Sequence, residues 1–164
     1  MFNQQTKMNM NLSEAEVAEV TFMVGKLQTV LGADNDARKA AEEHLNTIKT
    51  EEPAKYAVYF TAICVSAEVP ADVRALAAVI LRRCIGTVLP NAKETLWEKL
   101  EDPHRKLLKD NMLLAIQQIE NKDMMHKMSN LLVEVAGSMY ELNEEVWQDL
   151  LTLVFKFINS EVVL

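Results

Sequence analysis

The chain has 164 residues, a formal net charge of −7 and 49% apolar residues. That is enough apolar surface to bury a core, which excludes wholesale disorder, and the acidic balance excludes a general attraction to nucleic acid or anionic lipid. Four Gly and four Pro are too few for the tight turns of a β-rich chain, whereas the abundant Leu, Ala, Glu, Lys and Met favour helix.

The opening "MFNQQTKMNMN" is polar and has no apolar core segment, so residues 1–12 read as a flexible tail rather than a signal peptide. Ser13 and Glu16 have the spacing of a capping box, and Val17, Val20, Val24, Leu27 and Leu31 recur on one face until Gly32. Asn35 or Asp36 caps a second helix running to about Lys49, with His44 on its apolar face. Pro53 suits the first turn of a third helix carrying Tyr56, Tyr59, Phe60, Ile63 and Cys64. Pro70 opens a fourth. Residues 90–101 hold a short amphipathic piece around Leu96, Trp97 and Leu100. Asp102 and Pro103 begin a fifth long helix, to about Glu120, and Asp123 caps a sixth that ends near Tyr140. Asn143 caps a last one, whose Trp147, Leu151, Phe155 and Ile158 form an apolar stripe expected to remain exposed. No segment alternates with period two, and none approaches the ~18 apolar residues of a membrane span. The fold class is all-α.

The helices also pair. "NDARKAAEEHL" and "ADVRALAAVIL" repeat a turn, an aspartate and a helix, with Arg38 and Arg74 36 residues apart. Met125 takes the same slot in "KDMMHKMSNLL", 51 residues after Arg74, the excess being about the size of the 90–101 segment. A period in this range marks an α-solenoid of helix pairs of the HEAT type. The expected units are 13–50, 53–89, 90–140 with its extra segment, and the first helix of a fourth over 143–164.

In the fourth helix, "ADVRALAAVILRRC", Val73, Leu76, Ala77, Ile80, Cys84 and Val88 project onto one face, with Leu81 and Ile85 widening it. The remaining slot holds Ala75, Ala78, Val79, Arg82 and Gly86, small residues that let a partner approach the backbone. Comparable slots hold Lys39, Glu42, Glu43 and Asn46 on the second helix, and His126, Ser129, Asn130 and Val133 on the sixth. Stacked, these form a mixed ladder. It reads either as a solvated strip or as a presented surface, and the scarcity of charge around Ala75 and Ala78 suits the second. Arg38 and Arg74 fall on the flank of the packing face, where the guanidinium can meet an aspartate or a backbone carbonyl.

No catalytic constellation stands out, so a non-enzyme is expected. Cys64 and Cys84 are too sparse for a zinc site or a disulfide framework and read as buried thiols in a reducing compartment. Glu101 and His104 have a carboxylate–histidine spacing, but Pro103 interrupts it at a helix start and the second copy that a bundle site needs is missing. No phosphate loop, HExxH or nucleophile elbow occurs. Metal and cofactor are both expected to be absent. Met124, Met128 and Met139 fall on the packing face and read as core filling.

"DNDARKAAEEHL" followed by "DVRALAAVILRR" resembles the opening repeats of the importin β (karyopherin β) family of nuclear transport receptors, over about residues 16–160. That resemblance implies a right-handed HEAT superhelix whose N-terminal repeats bind the GTP form of the small GTPase Ran. It implies shuttling between cytoplasm and nucleus, with cargo released when Ran-GTP binds. The inner helices, here 36–49, 70–88 and 123–140, would face Ran. The ladder of Lys39, Glu43, Asn46, Ala75, Ala78, Arg82, His126 and Asn130 then becomes the expected Ran surface, while Arg38 and Arg74 are structural. Met125 stands where the family pattern often has Arg. Family members are far longer, so the resemblance implies an N-terminal portion, with cargo and nucleoporin contacts mostly in later repeats. The competing reading is a HEAT scaffold for another multi-subunit complex, in which repeats usually keep a more regular length.

Overall fold

The structure is a computed structural model that describes residue 6 and residues 9–161. It is all-helical. Eight helices have described bounds: α1 (Glu14–Leu31), α2 (Asn35–Glu51), α3 (Pro53–Val65), α4 (Ala71–Ile85), α5 (Leu96–Lys99), α6 (Asp102–Ile116), α7 (Lys122–Glu141) and α8 (Gln148–Glu161).

Local chemistry sets most boundaries. The Ser13 hydroxyl accepts from the Glu16 amide at 3.3 Å, and the Glu16 carboxylate accepts from the Ser13 amide at 2.8 Å, closing the capping box of α1. The cap of α2 is Asp34, earlier than expected, because its Oδ1 accepts from the amides of both Asp36 and Ala37. Similarly, Asn121 rather than Asp123 caps α7, accepting from the Met124 amide at 3.0 Å. α4 ends at Ile85 because the chain then folds back, with Val88 bridging Thr95 and the Leu89 amide donating to the Glu94 carbonyl. Val88, expected in the core, is therefore exposed. α6 stops at Ile116, short of Glu120.

Consecutive helices pack as pairs, α1 on α2, α3 on α4 and α6 on α7. α3 lies at the centre: every residue from Tyr56 to Cys64 is buried. It touches α1, α2, α4, α5 and α6. The short α5 and its C-cap Leu100 form a plug in which Leu96, Trp97 and Leu100 are enclosed. Arg105 of α6 stacks over the Trp97 ring at 5.4 Å, and its Nη1 donates to Glu144 Oε1 at 2.9 Å. The Trp97 indole N–H donates to that same oxygen at 2.9 Å.

Two sequence expectations need correction at the chain's ends. Within the expected tail, Met10 and Leu12 are buried, and the Asn9 carbonyl accepts from the Asn111 amide side chain at 3.2 Å. These apolar side chains find a place against α6 that a linear reading cannot supply. Residues 1–5, 7 and 8 of that segment lie outside the described residues. At the other end Asn143 does not cap a helix: it takes a positive φ of 54° in a linker, and α8 begins at Gln148. Trp147 is buried ahead of it, whereas Leu151, Phe155 and Ile158 are exposed as expected. Among the described helices none is long and apolar enough to cross a membrane.

Candidate partner-binding surface

α4 and α7 make the most extensive helix contact in the molecule. At their starts, Ala71 and Arg74 share a cleft with Asn121 and Met124. Near the end of α4, a Cβ placed on Gly86 would meet Glu134 Oε1 at 2.8 Å and Ser138 Oγ at 3.5 Å. Start lies against start and end against end, so the helices run parallel. This register sets Arg82 level with the stretch from Asn130 to Glu134, and Ala75 level with the turn that carries His126. Four of the expected ladder residues thus fall at matching heights on the two helices that form this seam.

The seam differs from the helical projection in one decisive respect. Val73, Ala77, Leu81 and Ile85 are buried at four-residue spacing, and Ala78 is fully buried with them. α4 is clasped between α3 and α7, and the buried arc turns toward Ala78, where the small side chain permits close helix approach. Ala78 is therefore a core residue and cannot touch a partner. Ala75, Val79 and Arg82 are half-buried, and Arg83 is exposed. His126 is exposed and Asn130 half-buried on α7. Among the described residues Arg82 has no hydrogen-bond or ion-pair partner, so its guanidinium is available.

The α2 part of the ladder stands apart. Lys39, Glu43 and Asn46 are exposed, and Asn46 accepts from Lys49 Nζ at 2.9 Å. α2, however, rests on α1 and α3 and has no more than marginal contact with α4. His44, expected in the core, is exposed instead, its ring edge-on to Phe22 with centroids 5.4 Å apart. Only Ala41 and Leu45 of this helix are buried, a stripe too narrow to include it.

The two arginines expected to be structural are placed by different contacts. Arg74 Nε donates to the Cys64 carbonyl at 3.0 Å, satisfying an acceptor in the last turn of α3. Arg38 donates to Asn35 Oδ1 at 2.7 Å within its own helix. Cys64 is fully buried and Cys84 half-buried, both as free thiols. Burial pushes the Cys64 thiol up to about 12. Met124, Met128 and Met139 are buried. His104 is half-buried, its Nδ1 enclosed without a partner. Among the described residues no three metal-ligating side chains converge.

Sequence reasoning missed the Trp97–Glu144–Arg105 network and a polar cluster of Glu19, Lys55 and Tyr59. Both join residues about forty or more positions apart in sequence, and neither has a local spacing signal. Compared with known proteins, the chain matches no family model, no curated protein and no solved structure.

Proposed function

We propose that this chain is the N-terminal Ran-GTP-binding module of an importin β-type nuclear import receptor, most similar to the importin-five branch of that family. Its helix pairs would stack as a HEAT solenoid, with α2, α4 and α7 as the inner helices. The receptor would take up cargo in the cytoplasm and release it in the nucleus when Ran-GTP binds, shuttling between the two. Cargo and nucleoporins would be held by later repeats.

The observation that carries this reading is the half-buried, unpartnered Arg82 on the α4–α7 seam. A guanidinium in such a position is poorly hydrated and gains strongly when a partner supplies a carboxylate or carbonyl. Ala75 leaves room beside it, while His126 and Asn130 extend the polar surface along α7. Lys39, Glu43 and Asn46 would engage the partner from a separate ridge.

The test is a pull-down with Ran loaded with GTP or GDP. The parent chain retains only the GTP form, and Arg82→Glu weakens retention without altering the melting temperature. Equal retention of both nucleotide forms, or unchanged binding by Arg82→Glu, defeats the proposal.

A further inference from the structure

Away from the α4–α7 seam, two open clefts of about 670 Å³ and 490 Å³ adjoin on the face built mainly by α1, α3 and α6. They share a wall made of Glu19, Glu52, Lys55 and Tyr59. Lys55 Nζ lies 2.7 Å from Glu19 Oε2 and 3.3 Å from Glu52 Oε2. The Tyr59 hydroxyl donates to the same Glu19 oxygen at 2.8 Å. The lysine side chain is 31% exposed, against 49% for Glu19 and 54% for Glu52. The lysine is therefore the most enclosed of the three side chains, and the two glutamates are the more exposed.

Glu16 joins this wall of the larger cleft, with its Oε2 engaged by Ser13. In Glu16, Glu19 and Glu52 alike, Oε1 has no hydrogen-bond donor among the described residues. Two carboxylates thus share one ammonium, Glu16 stands beside them on the same wall, and one oxygen of each of the three is left without a donor. The hydrogen bonds from Ser13 hold the Glu16 carboxyl below its ordinary value, and those from Lys55 and Tyr59 do the same for Glu19. Both remain ionised at neutral pH.

The smaller cleft is apolar. Met23 is fully buried, Ile48 is half-buried, and Phe22 is 53% exposed with His44 braced against its ring. An acidic wall thus adjoins an apolar hollow.

We infer that this groove docks a short segment of a partner protein that carries an arginine close to a bulky apolar side chain. The guanidinium lies on the Glu16–Glu19–Glu52 wall, and the apolar side chain enters the hollow at Phe22, Met23 and Ile48. Charge complementarity selects this occupant. A second copy of a chain with net charge −7 would bring like charge toward the carboxylates, and nucleic acid would do so more strongly. A planar fork suits paired carboxylate oxygens better than a single ammonium does. This surface is separate from the Arg82 seam and does not depend on the Ran reading.

The probe is a set of fluorescein-labelled peptides with one Arg and one Leu about two to four residues apart in a Gly-Ser background. Binding to the 164-residue chain is followed by fluorescence anisotropy. At least one spacing should saturate, and replacing its Arg by Glu or its Leu by Ser should abolish binding. Phe22→Ser and Glu52→Gln should each weaken binding by about tenfold, and the affinity should fall with added salt. Both positions are exposed, so both variants should melt near the parent temperature and retain GTP-loaded Ran as the parent does. The inference is overturned if no spacing saturates, if the Glu-substituted peptide binds equally well, or if both variants bind like the parent. It is also overturned if sedimentation shows a dimer that Phe22→Ser dissolves, since the groove would then hold a second copy.

Discussion

Arg74 and Cys64 tie the end of one helix to the start of the next. The guanidinium Nε donates to the Cys64 carbonyl at 3.0 Å, while the Cys64 thiol lies 3.9 Å from the Arg74 carbonyl. The carbonyls in the last turn of a helix have no partner within it, and a cation there also complements the helix dipole. Arg74 meets both needs for α3 while standing in the first turn of α4.

Arg74→Ala removes that donor and leaves a partly buried carbonyl unpaired. The expected cost is about 1–3 kcal/mol, and each kcal/mol lowers the melting temperature by roughly 2–4 °C in a chain of this size. Differential scanning calorimetry reads the change. Because its guanidinium is engaged by the Cys64 carbonyl rather than presented to a partner, Ran retention should not change at temperatures well below melting.

Ala78 and Arg82, one turn apart on α4, should separate cleanly. Ala78 is fully enclosed, so Ala78→Arg forces a charged chain into the α4 packing and should cost about 3 kcal/mol or more. Arg82→Glu should change stability by about 0.5 kcal/mol or less and act on partner binding alone. Urea melts of both variants check this. A stable Ala78→Arg protein would mean that α4 is rotated relative to the structure.

Glu144 Oε1 accepts from both the Trp97 indole and Arg105 Nη1 at 2.9 Å, fixing the α7–α8 linker to α5 and α6. Glu144→Ala strands an indole donor and loosens the ion pair, at an expected cost of about 1–3 kcal/mol. A double-mutant cycle with Arg105→Ala should return a coupling of about 0.5 kcal/mol or more. Additive single effects would show that the shared oxygen contributes nothing.

Cys64 should resist alkylation. Burial raises its thiol from 9.0 to about 12, which leaves roughly one thiolate in ten thousand at pH 8. Iodoacetamide should therefore modify Cys84 first in the folded protein. The linkage follows the same direction. The native state holds its thiol proton to higher pH than the unfolded chain, so this group's contribution is intact below pH 9.0 and falls as pH rises toward about 12. Comparing the pH dependence of urea midpoints for the parent and Cys64→Ala isolates it: the parent should lose stability more steeply across that window.

Local signals were enough to read the helices. The Ser13–Glu16 box, Pro53 and Pro70 each act within a turn of their own position, and the α1, α3 and α4 starts follow from them. One stripe of the α3 core was legible as well, in Tyr56, Tyr59, Phe60, Ile63 and Cys64, but not the burial of the residues between them. What the sequence hid was rotation and return. Ala78 projects to the outside of an isolated helix, and the helices packed around α4 make it core. His44 shares a helix face with apolar residues, yet the buried stripe of α2 is too narrow to cover it. Met10 and Leu12 lie in a polar stretch, and nothing local tells them that α6 is near. Arg82 is the opposite case. Its position outside the buried stripe of α4 was readable from spacing, but its freedom from any partner among the described residues required the surroundings of both helices.

A row of stacked pairs can in principle be shortened or fray one unit at a time, because each unit leans only on its neighbours. The burial of α3 from Tyr56 to Cys64 changes that. Its amides are sealed by helices from before it and after it, so exchanging their hydrogens with solvent requires those flanks to open together. The middle of this molecule consequently acts as a shared keystone. Excising α3 and α4 would not yield a shorter array with one fewer module; it would leave α1 and α2 with only each other and α6 without the helix it packs against most.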